Sequence, residues 1–172
     1  ELLAYCKEHK LPVVIATTGQ TEEERAMITE AASEIPVFFS GNMSIGIAVT
    51  CELAKKAALA FPDADIEIVE AHHNRKLDVP SGTALMVANS VKEARDEANF
   101  VIGRHEAGKR QKQDIGIHSL RMGNVVGIHE VMITTGRETI TIKHEAHDRA
   151  LFADGAIAAA RFLADKPAGM YN

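Results

Sequence analysis

Along the first sixty residues, short apolar runs alternate with stretches of helical period. Residues 1–9 have the spacing of an amphipathic helix that stops at Lys10-Leu11-Pro12. Val13-Val14-Ile15-Ala16 is continuous and β-branched, as expected of a strand buried on both faces, and Thr17-Thr18-Gly19 turns the chain after it. Thr21 and Glu24 make a capping box at the head of a helix expected over 22–33, with acids in its first turn. Pro36-Val37-Phe38-Phe39 reads as a second buried strand. A long helix is then expected from near Ser44 to Ala60, with Ile45, Ala48, Val49, Leu53 and Ala57 on one face. Strands and helices in this alternation are the rhythm of a parallel, doubly wound sheet.

Beyond Phe61-Pro62-Asp63 the rhythm changes. Asp65-Ile66-Glu67-Ile68-Val69-Glu70 alternates and then turns apolar, which predicts a strand with one wetter face. A helix is expected over 83–97 and strands over 99–102 and 113–120, separated by a mobile stretch rich in Gly, Lys, Arg and Gln. Residues 125–133 and 138–144 alternate on either side of Thr135-Gly136-Arg137, the pattern of a β-hairpin. An alanine-rich helix is expected over 151–165. The fold class is therefore α/β: the remainder of a Rossmann-type parallel sheet, followed by an α+β domain with an open mixed sheet and helices on one side.

Composition narrows the function more than the fold. The 172 residues are 46% hydrophobic and 25% charged, ordinary for a globular chain able to bury a core. Nineteen basic against 24 acidic residues give a net charge of −5 with no basic stripe, which argues against nucleic acid as a partner. No apolar run approaches the roughly 20 residues of a membrane span. Cys6 and Cys51 form neither a disulfide framework nor a zinc pattern, and a cytoplasmic setting is expected. Glu1 opens in mid-helix, with neither an initiator methionine nor a signal peptide, so the chain is expected to begin inside a domain.

One segment concentrates chemistry: Glu70-Ala71-His72-His73-Asn74-Arg75-Lys76-Leu77-Asp78-Val79-Pro80-Ser81-Gly82-Thr83-Ala84. Its polar groups follow a buried strand and precede a helix, where α/β proteins place their sites. Ser81 is suited to cap the helix, Gly82 allows close approach to its backbone, and the free N–H groups of the first turn attract an anion. With His72, His73 and Lys76 alongside, the site is cationic within an acidic protein and suits a small carboxylate or phosphate.

The run Glu67-Ile68-Val69-Glu70-Ala71-His72-His73-Asn74-Arg75-Lys76-Leu77-Asp78-Val79-Pro80-Ser81-Gly82-Thr83-Ala84 resembles the signature of the dihydrodipicolinate reductase family. Thr17-Thr18-Gly19, Asn42-Met43-Ser44-Ile45-Gly46, Ser119-Leu120-Arg121-Met122-Gly123-Asn124-Val125-Val126-Gly127 and Arg149-Ala150-Leu151-Phe152-Ala153-Asp154-Gly155-Ala156 are similar to it in order and spacing, so the resemblance spans the chain. It implies hydride transfer from NADPH or NADH to a cyclic imine dicarboxylate in the route to diaminopimelate and lysine. It also implies a homotetramer formed through the mixed sheet. By resemblance His72 is the acid–base residue and Lys76 the proton donor. His73, Ser81, Gly82 and Thr83 hold the substrate, with Arg121 as a support. Ala16, Thr17, Thr18, Ser40, Gly41, Asn42 and Met43 line the nicotinamide; Ala16 stands where the family has glycine, and Met43 where an aromatic is common. Residues 1–44 would then end a dinucleotide-binding domain, 45–150 form the substrate-binding and oligomerisation domain, and 151–172 return as a helix to the first.

No G-x-G-x-x-G occurs, and Gly41 and Gly46 are followed by Ile47-Ala48 rather than the Lys-Ser/Thr of a phosphate loop. The chain is thus expected to be a fragment with weak cofactor binding. Eight histidines suggest no metal, since His144 and His147 lack the H-E-x-x-H spacing. His118 and His129 read as packed or interface residues, and Pro80-Ser81-Gly82 lacks a hydrolase elbow. Two other readings stand beside the reductase. One is a dehydrogenase of the aspartate-semialdehyde or homoserine type, disfavoured by the H-H-x-x-K…P-S-G-T run; the other is a non-catalytic assembly domain.

Overall fold

The structure, a computed structural model, describes residues 1–95 and 97–172. In chain order the elements are α1 (Leu2–Glu8), β1 (Val13–Ile15), α2 (Glu22–Ala31), β2 (Pro36–Phe39), α3 (Ile45–Ala60), β3 (Asp65–His72), α4 (Gly82–Lys92), β4 (Asn99–Ile102), β5 (Asp114–Arg121), β6 (Gly127–Thr134), β7 (Thr139–Ala146), α5 (Ala150–Leu163) and β8 (Gly169–Tyr171). They divide into two units, Glu1–Ser44 with Ala150–Asn172, and Ile45–Arg149. No described helix is long and apolar enough to cross a membrane.

The first unit is a parallel sheet in the order β1-β2-β8. Its core gathers Cys6, Val13, Ile28, Ala31, Ala32, Ile35 and Val37; of the two strands expected to be buried on both faces only Val13 and Val37 are fully so, while Val14, Ile15, Phe38 and Phe39 are half-buried. Thr21 caps α2 with the reciprocal Glu24 bond that the sequence predicts. In α5, Gly155 sits so close to the Met43 carbonyl oxygen that a Cβ there would collide with it, so this glycine lets the helix approach the loop after β2. β8 has no counterpart in the sequence reading. Three residues after Lys166-Pro167-Ala168 are too few to show a period, and β8 exists because it pairs with β2.

The second unit is a five-stranded mixed sheet in the order β4-β5-β3-β6-β7. β4, β5 and β3 run parallel; β6 and β7 form the expected antiparallel hairpin. Register brings Ile66, Ile115 and Ile133 into line, and likewise Ile68, Ile117 and Val131. These six isoleucines and valines are essentially inaccessible, each contributing about 1.5–3 kcal/mol on burial. Against them pack α3 and α4 through Ile47, Cys51, Ala54, Ala58, Val87 and Val91.

Three expectations need correction here. The buried stripe of α3 is Ile47, Thr50, Cys51, Ala54 and Ala58, whereas Ile45, Val49 and Leu53 of the expected face are exposed at 60%, 51% and 48%. The helix is apolar nearly all round, so periodicity cannot choose a face; small side chains turn inward because they allow close approach to the sheet and α4. The helix expected over 83–97 stops at Lys92, and residue 96 of that range lies outside the described residues. The charged stretch between β4 and β5, read as mobile, is pinned to the sheet. Arg110 pairs with Asp65 at 2.7 Å and Glu67 at 3.3 Å, and Arg104 reaches Glu67 and Asp114 at 3.4 and 3.5 Å.

Candidate functional site

β3 ends at His72, at the sheet edge where a loop leaves for α4. Alternation along the strand puts Ile66, Ile68 and Glu70 on the helix-covered face. Glu70 is therefore a carboxylate inside the core, with 0% exposure. Its two oxygens accept four hydrogen bonds. Oε1 takes the Ser81 backbone N–H (3.2 Å) and one Arg121 amino group (2.8 Å). Oε2 takes the other Arg121 amino group (2.9 Å) and lies 2.5 Å from His72 Nδ1. Burial pushes the Glu70 carboxyl up, but the hydrogen bonds from His72 and Arg121 outweigh it and hold the group far below the usual carboxylate range. It is an anion at every pH at which the protein would work.

Arg121, on β5 directly opposite His72, does more than the sequence suggested. Besides the bidentate grip on Glu70 it donates to the carbonyls of Leu120 (2.7 Å) and Asp78 (2.8 Å), tying the loop to the sheet. The β5–β6 turn holds the same loop. Met122 N–H donates to His72 O, Asn74 N–H to Gly123 O, and Arg75 to Asn124 Oδ1 at 2.9 Å.

Ser81 is the N-cap of α4, and its Oγ accepts the Ala84 N–H at 3.1 Å, as expected. The same oxygen lies 3.3 Å from Nε2 of His129, on β6 opposite Glu70. His129 is indeed packed, its ring meeting that of His72 edge-on at 5.1 Å. Burial first, then the neighbouring His72 charge, pushes its pKa down to about 4, so it is neutral at pH 7. Gly127 completes the wall: a Cβ there would come within 3.1 Å of His72 Nε2.

His129 carries a testable consequence. In the unfolded chain it ionises near the ordinary histidine value of about 6.5, whereas in the fold it stays neutral down to about 4. The unfolded state thus binds the extra proton in that window, and stability falls as pH drops through it. Thermal melts from pH 7 to pH 4 should show a loss of order 2 kcal/mol that His129→Leu removes. An identical slope in the variant would sink this assignment.

His73 turns the other way from His72. Its Nδ1 is buried without a hydrogen-bond partner, and its Nε2 is 3.4 Å from an Arg149 amino group. Burial, then the charges of Arg75 and Arg149, lower its pKa. Lys76 pairs with Asp78 at 2.8 Å. Burial raises the Asp78 pKa, but the Lys76 ammonium, its own backbone N–H and the Gly82 N–H together bring it below the ordinary value. The chain's own Asp78 carboxylate thus meets the Lys76 ammonium in the loop just ahead of α4. His72, His73, Lys76, Ser81, Gly82, Thr83 and Arg121 are all gathered at this sheet end; Glu70, Asp78, Gly127, His129 and Arg149 join them without having been singled out. Parity was the available signal for Glu70 and His129, which share a face with isoleucine and valine.

In the first unit, the loops after β1 and β2 leave the same edge of the parallel sheet. Ala16, Thr17 and Thr18 are exposed, and Gln20 Nε2 donates to Thr17 O and Oγ1 at 2.7 and 2.8 Å. Ser40 Oγ donates to Asn42 O at 2.8 Å, Ser44 N–H donates to Asn42 Oδ1 at 2.8 Å, and Met43 is buried. Gly41 is exposed beside them. These bonds fix two loops at the carboxyl ends of parallel strands, where α/β folds place their ligands.

A buried carboxylate bonded to a histidine at a strand end, ahead of a capped helix, gathers the polar groups of this α/β protein where such folds place their sites. Comparison with known proteins narrows this. Residues 1–43 match the family described as "Dihydrodipicolinate reductase, N-terminus", and residues 46–172 match "Dihydrodipicolinate reductase, C-terminus". The chain is 47% identical to the 4-hydroxy-tetrahydrodipicolinate reductase of Clostridium tetani, over 99% of this chain and 68% of that protein. It is 46% identical to that of Caldanaerobacter subterraneus, over 99% and 69%. The solved structure of dipicolinate-bound dihydrodipicolinate reductase from Paenisporosarcina sp. TG-14 superposes with a TM-score of 0.79 at 26% identity, covering 98% of this chain and 65% of that one. The chain belongs to the dihydrodipicolinate reductase family, and it spans about two thirds of the length of these relatives.

Proposed function

We propose that this chain takes part in the reduction of 4-hydroxy-tetrahydrodipicolinate to tetrahydrodipicolinate by NADPH or NADH, a step toward diaminopimelate and lysine. The observation that carries this reading is the convergence of His72, Lys76 and the head of α4 around one strand end. The nicotinamide supplies a hydride when bound; Ala16–Thr18 and Ser40–Met43 are the residues that would hold it. Hydride addition to a ring carbon pushes electrons to the far end of the conjugated system, and a proton must be supplied there. His72 and Lys76 are the groups able to give it.

The carboxylates are recognised by His73, Ser81, Gly82 and Thr83. His129 has no partner at Nδ1, and a bare lone pair in an apolar site costs less than a bare N–H. The proton of neutral His129 therefore sits on Nε2 and is donated to Ser81 Oγ, which also accepts the Ala84 N–H. With its lone pairs used, the Ser81 hydroxyl turns its own proton toward the ligand.

Calorimetric titration with pyridine-2,6-dicarboxylate, with and without NADPH, tests the reading; no heat under either condition would refute it. Asp78 competes for the same cationic groups. Asp78→Asn should tighten dicarboxylate binding about two- to fivefold, the effect of removing one exposed like charge of up to ~1 kcal/mol. Weaker binding would mean that Asp78 serves to orient Lys76 instead.

A cytoplasmic, self-associating protein belongs to the same proposal. Cys6 and Cys51 are both unpaired thiols. The sheet face away from α3 and α4 carries Leu120, 49% exposed, with Val69, Ile128 and Met132 partly so. Light scattering should return four times the chain mass, and Leu120→Glu should lower it; a monomeric wild type would refute the assembly.

A further inference from the structure

We propose that Glu70 is a positioning residue that fixes the proton of His72 on Nδ1 and so leaves Nε2 as the nitrogen that exchanges a proton with the substrate. The inference rests on the reductase reading for the role of His72, but its geometry stands apart from that reading. A histidine's two nitrogens are not equivalent, and which one is free depends on what the other is bonded to. Here the partner of Nδ1 is an anion with no exposure, locked by Arg121 and by the Ser81 N–H. An anionic oxygen accepts and never donates, so Nδ1 must carry a hydrogen in both charge states of the ring. When the cationic ring gives up a proton, it leaves from Nε2. The neutral ring that remains is the Nδ1–H form, still bonded to Glu70, and the return of a solvent proton to Nε2 restores the starting state. One carboxylate also holds both halves of the site in register, since Oε1 takes the first residue of the anion-binding turn and Oε2 takes the acid–base residue.

The test follows from asking what an amide would do in the same place. In Glu70→Gln the side chain has one acceptor and one donor end. The Ser81 N–H is a backbone donor that cannot change character, so the amide oxygen must face it. The NH2 end is then turned on His72 Nδ1, and the ring can accept that hydrogen only by moving its own to Nε2. Glu70→Gln should therefore invert the tautomer of neutral His72. Long-range proton–nitrogen correlation spectra of the 15N-histidine-labelled full chain read this directly, with His72→Asn identifying the resonances.

The expected result is a protonated Nδ1 in the wild type, a protonated Nε2 in Glu70→Gln, and turnover lower by about 10²- to 10⁴-fold, with pyridine-2,6-dicarboxylate affinity within a few-fold of wild type. An Nε2–H neutral ring in the wild type overturns the proposal whether or not the variant folds. An unchanged tautomer in a folded variant does the same. If the wild type shows Nδ1–H yet neither binds the dicarboxylate nor reduces the substrate, the functional reading fails while the positioning geometry survives.

Discussion

Arg121→Met should cost about 3–5 kcal/mol of stability at neutral pH, the usual penalty for removing one partner of a buried ion pair. Arg121 supplies two of the four hydrogen bonds to Glu70 together with the only guanidinium paired with it among the described residues, and methionine keeps the volume while supplying neither. The sign of the pH dependence is fixed by Glu70. In the wild type its pKa lies below the unfolded value, so its stabilisation is present above the ordinary carboxylate range and is lost as pH falls below it. In the variant the opposing effect of burial gains weight and protonation relieves an uncompensated charge. The deficit between variant and wild type should therefore shrink from pH 7.5 to pH 4.5, while the His129 contribution cancels because both proteins carry it. Adding Glu70→Gln to Arg121→Met removes the orphaned charge, keeps an acceptor for Ser81, and should recover about half of the loss. Thermal melts across this range check both points. A pH-independent deficit, unrelieved in the double variant, would mean that Arg121 acts only by packing.

How much of this was legible beforehand depended on the length scale of each signal. The capping box of α2, the apolar strands and the β6–β7 hairpin are local: Thr21 caps α2 as expected, β1 stops one residue short of the expected Val13–Ala16, and the hairpin expected over 125–144 runs from Gly127 to Ala146. The strand-end motif also announced itself, because polarity packed between a strand and a helix start is informative in one dimension. What was missed is non-local. Arg121 entered only as a support implied by the resemblance, with no partner to name, because its carboxylate is 51 positions away and on another strand. His129 read as generic packing because Ser81, 48 positions distant, gives it meaning. Glu70 was visible inside the motif, but only the register of β3 against β5 and β6 shows that its alternation points inward. The face of α3 was misjudged for a different reason: Ile45, Val49 and Leu53 make as good a stripe as Ile47, Cys51 and Ala54, and neighbours decide between them. Local pattern fixes which residues can act together only when they are close in sequence.

His72→Asn should reduce turnover by 10²- to 10⁴-fold, about the whole contribution of a positioned acid–base group, while leaving the fold and the ligand-binding half of the site in place. The choice of asparagine matters. Its amide nitrogen stands near the position of Nδ1 and donates to Glu70, so the buried anion keeps a fourth hydrogen bond and Arg121 and Ser81 stay where they are. Nothing replaces Nε2, and an amide neither gives nor takes a proton in the working pH range. Lys76→Met offers the contrast. It removes a cation that a dicarboxylate would meet, and the Asp78 carboxylate it pairs with is half exposed, so its release is borne by water. The first variant should therefore lower kcat with pyridine-2,6-dicarboxylate affinity within a few-fold of wild type; the second should weaken that affinity and lower kcat together. Single-turnover rates and dicarboxylate titrations on the two variants separate these cases. If His72→Asn weakened binding and spared kcat, the proton would have to come from Lys76 alone, and the Glu70–His72 pair would serve to shape the carboxylate pocket.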